Sequence, residues 1–377
     1  MPRPHLLLAG LGHAHLFVLE ALASGALDAN VTVVTPEEYH YSGMIPGVLA
    51  GCYTADEAAL PPARLVRGTG VEWVRGRIAR VHAEEKQVVL ENGGVLSYDL
   101  LSLDIGSRPA ADDLPGVCDH ATPVKPVGRT LVFREAAVRA ADSASAATPA
   151  RVVIVGGGAA GVEIAFCLGT HLAGRCGRER FRISIFQSAD AILPEYPGSF
   201  REKARTELER RRVELRTGVE VRGVEERRVI TEHGEPVPYD ALLWATGPRA
   251  PSLLRASGLP VDEKGYLRVQ PTLRASGHAE VFGAGDCMTP EHAPWVPKAG
   301  VYAVREGPVL ARNLARALKG EPLEEYEPQR DWLSLMNTGD GRALLHYRGL
   351  THHGRTAWWL KDRIDRRFVA RFQRLGR

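Results

Sequence analysis

The chain has 377 residues, 44% hydrophobic and 25% charged, an apolar share that excludes disorder in a length that suits about two domains. Five Cys, odd in number and with neither a CxxC nor a zinc-like spacing, exclude a disulfide scaffold. The net charge of +3 averages unlike parts, because residues 341–377 hold ten Lys and Arg against two Asp and Glu, so the body is acidic and the basic charge sits in a tail.

In chain order, His5–Ala9 reads as a short buried strand running into Gly10-Leu-Gly12, an amphipathic helix and a second strand at Val31–Val34. The N-terminal apolar run is too short for a signal-peptide core, and no window of about 18 apolar residues offers a membrane span. A cytoplasmic protein is expected. Val71–Leu90 and Gly94–Leu103 alternate like a small meander that ends in Asp104-Ile-Gly106-Ser-Arg-Pro109. Pro-, Ala- and Ser-rich stretches at 109–126 and 141–149 read as crossings and linkers. Arg151–Val155 then repeats the opening pattern with Gly156-Gly-Gly158-Ala159-Ala160-Gly161, a helix from Val162 and a strand at Phe181–Phe186. A second meander, Val213–Val237, leads to Leu242-Leu-Trp-Ala-Thr-Gly247, and Val281-Phe-Gly-Ala-Gly285 leads to Asp286. A helix-like segment covers Ala299–Leu318, and residues after about Glu324 form a separate piece.

The second glycine turn carries the stronger signal. Its first glycine permits the tight turn, its second lets a pyrophosphate approach the backbone, and its third lets the helix pack on its strand, with phosphate at the positive helix end. The first turn keeps Gly10 and Gly12 but has His15 where the third glycine belongs, so His15 must splay helix and strand or lie sideways. Asp286, leaving a strand through two glycines, suits a grip on a sugar-alcohol hydroxyl.

This motif order resembles the two-dinucleotide-binding-domain flavoproteins, in which an FAD domain carries an inserted NAD(P)H domain. Within them the chain is similar to type II NADH dehydrogenases and sulfide:quinone oxidoreductases. Tyr39–Tyr53 with Gly12-His-Ala-His15 further resembles the flavoprotein module found beside or fused to selenide, water dikinase. The resemblance implies an α/β fold of two Rossmann-like domains plus a short C-terminal segment with an amphipathic helix. Residues 1–112 and 245–323 would bind FAD, 113–244 NADH or NADPH, and 324–377 a membrane or a second copy.

The same resemblance sets Gly10, Gly12 and Ala14 at the FAD pyrophosphate, with His15, close to that turn, a further cofactor-binding candidate. Thr35 and Glu37 then stand near the adenosine ribose, Ser42 and Pro46 near the ring and Asp286 at the ribityl chain, with Gly106 a further cofactor-binding candidate. Lys298, Ala299 and Gly300 mark the helix start at the pyrimidine edge. Gly156, Gly158, Ala159, Ala160, Gly161, Gln187 and Gly247 are assigned to the nicotinamide dinucleotide, with Glu163 and Lys298 as catalytic candidates. Gln187 is neutral where an acid would repel a 2′-phosphate, so NADPH is expected to be tolerated. The implied chemistry is hydride transfer from NAD(P)H to flavin and passage of two electrons to an acceptor, a quinone first among them.

No Cys lies on the first helix or after Cys287, which weighs against disulfide and sulfide chemistry. A slow-turnover redox-sensing or partner-binding flavoprotein, linked to selenium metabolism, and a sulfide:quinone oxidoreductase-like enzyme remain as alternatives. In the tail, Leu360, Ile364, Phe368 and Phe372 recur every four residues opposite Arg363, Arg366, Arg367 and Arg374. That pattern suits a helix lying in an anionic membrane interface, and equally one packed on its own FAD domain or in a homodimer. Neither a metal site nor a nucleic-acid-binding module is expected.

Overall fold

The computed structural model describes residues 3–36, 39–110 and 114–375. The apolar runs beside the two glycine turns become the central strands of two parallel sheets. In the first sheet β1 (His5–Ala9) and α1 (His13–Ala23) lead to β2 (Asn30–Thr35), followed by the short helix α2 (Ile45–Ala50). β3 (Glu72–Arg75) joins the sheet edge, and an antiparallel meander of β4 (Ile78–His82), β5 (Gln87–Leu90) and β6 (Val95–Ser97) precedes β7 (Leu100–Leu103). Parallel pairing sets Leu7 of β1 opposite Thr32 of β2 and Leu101 of β7. Strands covered on both faces need apolar side chains throughout, which is why Leu6, Leu7 and Leu8 are all fully buried.

The second unit follows the helix α3 (Arg129–Ser143). Here β8 (Ala150–Val155), α4 (Ala159–Cys176) and β9 (Phe181–Gln187) repeat the opening unit, and α5 (Gly198–Arg210) leads to β10 (Val213–Thr217). A meander of β11 (Val221–Glu225), β12 (Arg228–Thr231) and β13 (Pro236–Pro238) precedes β14 (Ala241–Trp244), which pairs with β8. The chain then returns to the first sheet with β15 (Val281–Gly283), giving the order β15-β7-β1-β2-β3. The second sheet runs β10-β9-β8-β14 and ends on Thr122–Pro123. The first meander is two strands shorter than its alternation suggests and the second is one strand shorter, since β3, β7 and β10 pair in the parallel sheets; alternation reports one buried face and not the pairing partner.

α6 (Gly300–Lys319) packs along α1, where a Cβ at Gly307 would strike the Phe17 ring. The C-terminal piece is a hairpin sheet of β16 (Ser334–Asn337), β17 (Ala343–Tyr347) and β18 (Leu350–Gly354) followed by α7 (Arg355–Gln373). The α7 stripe of Ala357, Lys361, Asp365, Val369 and Phe372 is buried. Phe368 and Phe372 lie against Phe17 with ring centroids 6.4 and 5.1 Å away. One end of the expected apolar face is thus packed on the chain itself, while Ile364 is 42% and Trp359 62% exposed.

Candidate active site

In the first sheet the strand order reverses between β1 and β7, and the crevice at the carboxyl ends of those strands is where such folds bind ligands. A groove of about 1200 Å³ opens there. Gly10 makes the turn at its floor with φ +84°, its missing side chain leaving room for the Asp104 carbonyl. Gly12, Thr35, Ser42, Gly106, Asp286, Lys298 and Gly300 share its wall, and no atom lies within 4 Å of where a Cβ at Gly106 would stand.

Asp286 does not stand alone. Lys125, delivered by the crossing between the two units, donates to it at 2.6 Å and to Ser107 at 2.6 Å, and Ser107 donates to Asp286 at 3.2 Å. His13 also faces the groove, bonded to Tyr39 at 3.0 Å; desolvation lowers it to about 4, Asp286 opposing and Lys125 adding. Behind Gly285, Glu306 accepts the Gly285 amide at 2.6 Å, and burial raises it to about 8. Lys298 turns its ammonium to the Met288 carbonyl and the Thr289 hydroxyl, over the Tyr266 ring, and burial lowers its pKa. Its charge therefore serves the wall more than the groove.

His15 lies sideways: Nδ1 donates to the Gly10 carbonyl at 2.7 Å, which leaves Nε2 to accept from Ser102 at 2.8 Å. Ala14 and His15 stand behind the groove, their amides given to Asp104. Pro46 is buried at the start of α2, Ala299 caps α6, and Glu37 lies outside the described residues.

The second glycine turn is open where the first is filled. Gly156 needs its φ of +117° and close approach to the Ala245 carbonyl, and Gly161 packs against the Gly156 carbonyl. At Gly158 a Cβ would meet nothing within 4 Å, and Ala159 and Ala160 are exposed at the start of α4. Gln187 folds back to accept the Gly157 amide at 2.8 Å, and Gly247 is exposed after β14. The groove beside the filled first turn and the open second turn are thus two separate places where a helix N-terminus could meet a phosphate-bearing ligand.

Glu163, one turn into α4, meets the C-terminal piece. It accepts the Asn337 amide at 2.7 Å and lies 3.9 Å from Lys361. Lys361 donates to Asp365 at 2.9 Å and to the Gly43 carbonyl at 2.9 Å. Because that ammonium is committed first to Asp365, burial prevails at Glu163 and raises it to about 7, with Lys361 and the Asn337 amide opposing. One buried lysine thus joins α7, the loop beside the groove and the helix of the second turn. The sequence reading missed Asp104, Lys125 and the Lys361–Asp365 pair; only the last left a trace, as an i,i+4 pair of opposite charges.

A sequence model of the pyridine nucleotide-disulphide oxidoreductases matches residues 5–307. The type II NADH:quinone oxidoreductase of Staphylococcus aureus is 25% identical over 395 residues, covering 99% of this chain and 97% of the relative. The sulfide:quinone oxidoreductase of Aquifex aeolicus superposes with a TM-score of 0.82 at 17% identity, covering 99% of this chain and 92% of that one. NDH2 of Plasmodium falciparum, solved with NADH, superposes with a TM-score of 0.78 at 15% identity, covering 97% of each chain.

Proposed function

Because the chain belongs to the pyridine nucleotide-disulphide oxidoreductase family, we propose that it is an FAD-dependent NAD(P)H dehydrogenase that delivers two electrons to a quinone. FAD, when bound, supplies the hydride-accepting ring and the two-electron store. The chain's own task is placement. Gly106 leaves open space for the dinucleotide while Gly10 and Gly12 make room for Asp104 at the turn, Asp286 braced by Lys125 and Ser107 offers acceptors to a polyol, and the N-terminus of α6 at Gly300 favours negative charge. Gly158, Ala159 and Ala160 offer the second helix N-terminus to NADH or NADPH. Glu163 holds a proton at its carboxyl where the second turn, the groove loop and α7 meet, and it is the residue we assign to proton exchange with the acceptor.

The observation that carries this reading is the pair of cradles, one groove ending at Asp286 and one open helix start at Gly158, in a chain that aligns over nearly its whole length with a relative named as an NADH:quinone oxidoreductase. We take residues 1–112 and 245–323 as the FAD-binding part, 113–244 as the NAD(P)H-binding part and 324–377 as the segment that meets the acceptor. No helix among the described residues is long and apolar enough to cross a membrane. We further propose peripheral contact through 356–374, where exposed Trp359 and Ile364 stand among Arg363 and Arg367; a homodimer through the same face is the competing occupant. The test is NADH oxidation by the purified, FAD-loaded protein with a soluble quinone. Quinone-dependent turnover supports the reading, and its absence alongside ferricyanide reduction would remove the quinone.

A further inference from the structure

The N-terminus of α1 is where the first glycine turn would offer its amides to a pyrophosphate, yet a carboxylate of the chain already stands there. Asp104 leaves the end of β7, and its Oδ2 accepts the amides of Ala14 at 2.9 Å and His15 at 3.1 Å. A Cβ at Gly12 would collide with this carboxylate, and one at Gly285 would come within 2.6 Å of Oδ1. Both glycines therefore make room for Asp104, which is 3% exposed and lies on the groove wall.

The ionisable groups around it come from every neighbouring element. They are His13 and His15 on α1, Tyr39 before α2, Asp286 and Cys287 after β15, Glu306 on α6, and Lys125 and Lys298 on the groove wall. The two lysines are bonded elsewhere, Lys125 to Asp286 and Lys298 to Met288 and Thr289. His15 is a neutral imidazole fixed by Gly10 and Ser102. An ionised Asp104 and a doubly charged pyrophosphate at one helix end, in a wall of low dielectric, would repel strongly.

We propose that Asp104 is a cofactor-positioning residue that receives FAD as the neutral acid, with Oδ2 keeping both amides and Oδ1 donating its proton to the pyrophosphate. Burial supports this by raising the carboxyl to about 7, the His15 and Ala14 amides opposing and Asp286 adding. The inference rests on FAD as the occupant of the groove.

The test is the FAD affinity of the full chain, stripped of flavin, measured by flavin fluorescence quenching across the pH range. Affinity in the wild type is expected to be constant in mild acid and to fall about tenfold per pH unit above about 7, the slope of one linked proton. Asp104→Asn, whose Oδ1 can accept both amides while Nδ2 donates permanently, is expected to match the wild type in mild acid and to lose the pH dependence. Glu306→Gln is expected to keep the wild-type slope. A flat wild-type profile, a slope retained in Asp104→Asn, or a slope abolished by Glu306→Gln would overturn the proposal. If Asp104→Asn fails to fold, the wild-type and Glu306→Gln profiles decide it alone. Failure of the wild type to bind FAD at any pH would overturn the cofactor reading as well, an outcome distinct from tight but pH-independent binding.

Discussion

Glu163 shows how a single carboxyl acquires a use from its surroundings. Raised from its ordinary 4.5 to about 7, it binds its proton more tightly folded than unfolded. Its contribution to stability is therefore full below about pH 4.5 and is lost as pH rises through about 7. Urea midpoints should fall across that window in the wild type and fall less in Glu163→Gln; equal slopes would show that burial does not hold the proton there. The same variant should slow quinone turnover by about tenfold or more while NADH still reduces the flavin, as expected for loss of one acid–base group. Gln187 carries a second prediction. With its side chain bonded to Gly157 and no acid at the strand end, NADPH should be used within about a hundredfold of NADH, a discrimination of about 2.7 kcal/mol; a wider gap in kcat/KM would contradict it. Gln187 was legible because its position follows from strand and turn spacing. Asp104 and Lys125 were not, since Asp104 meets its amide partners 89 and 90 residues away and Lys125 meets Asp286 161 residues away.

At the scale of elements, the glycine-flanked apolar runs were legible because a buried parallel strand, a tight turn and a packed helix each demand a narrow residue set. The register of the meanders was not, because β3 and β10 show the same alternation as strands that pair antiparallel. α7 is the instructive element. Its sequence pattern gives Lys361 and Asp365 no buried role, yet they lie inside the molecule, while Ile364 and Trp359 face outward. Charges that bond each other can sit on a buried stripe, which periodicity of apolar residues alone does not reveal. The outward pair bears directly on membrane contact. Trp359→Glu with Ile364→Glu should reduce co-sedimentation with anionic vesicles several-fold and leave ferricyanide reduction unchanged. Unchanged vesicle binding, or a shift in oligomeric state instead, would favour the homodimer contact.

Across the whole molecule, the +3 net charge divides into an acidic body and a basic tail, and the fold gives that division a form. The two parallel sheets place one filled and one open glycine turn at separate helix ends. The C-terminal piece is tied to the second unit by buried Arg211, which pairs with Glu207 and Asp340, and to the groove loop by Lys361. The site assigned to electron exit is therefore assembled from three parts of the chain distant in sequence. Electrons are proposed to pass from NAD(P)H through a flavin held at Asp286 to a quinone, and anaerobic double-mixing stopped flow on the FAD-loaded protein follows both transfers in turn. NADH should bleach the flavin absorbance within the turnover time, and a soluble quinone added next should restore it at a rate that accounts for steady-state turnover; slow bleaching, or reduced flavin that the quinone leaves unchanged, would contradict it.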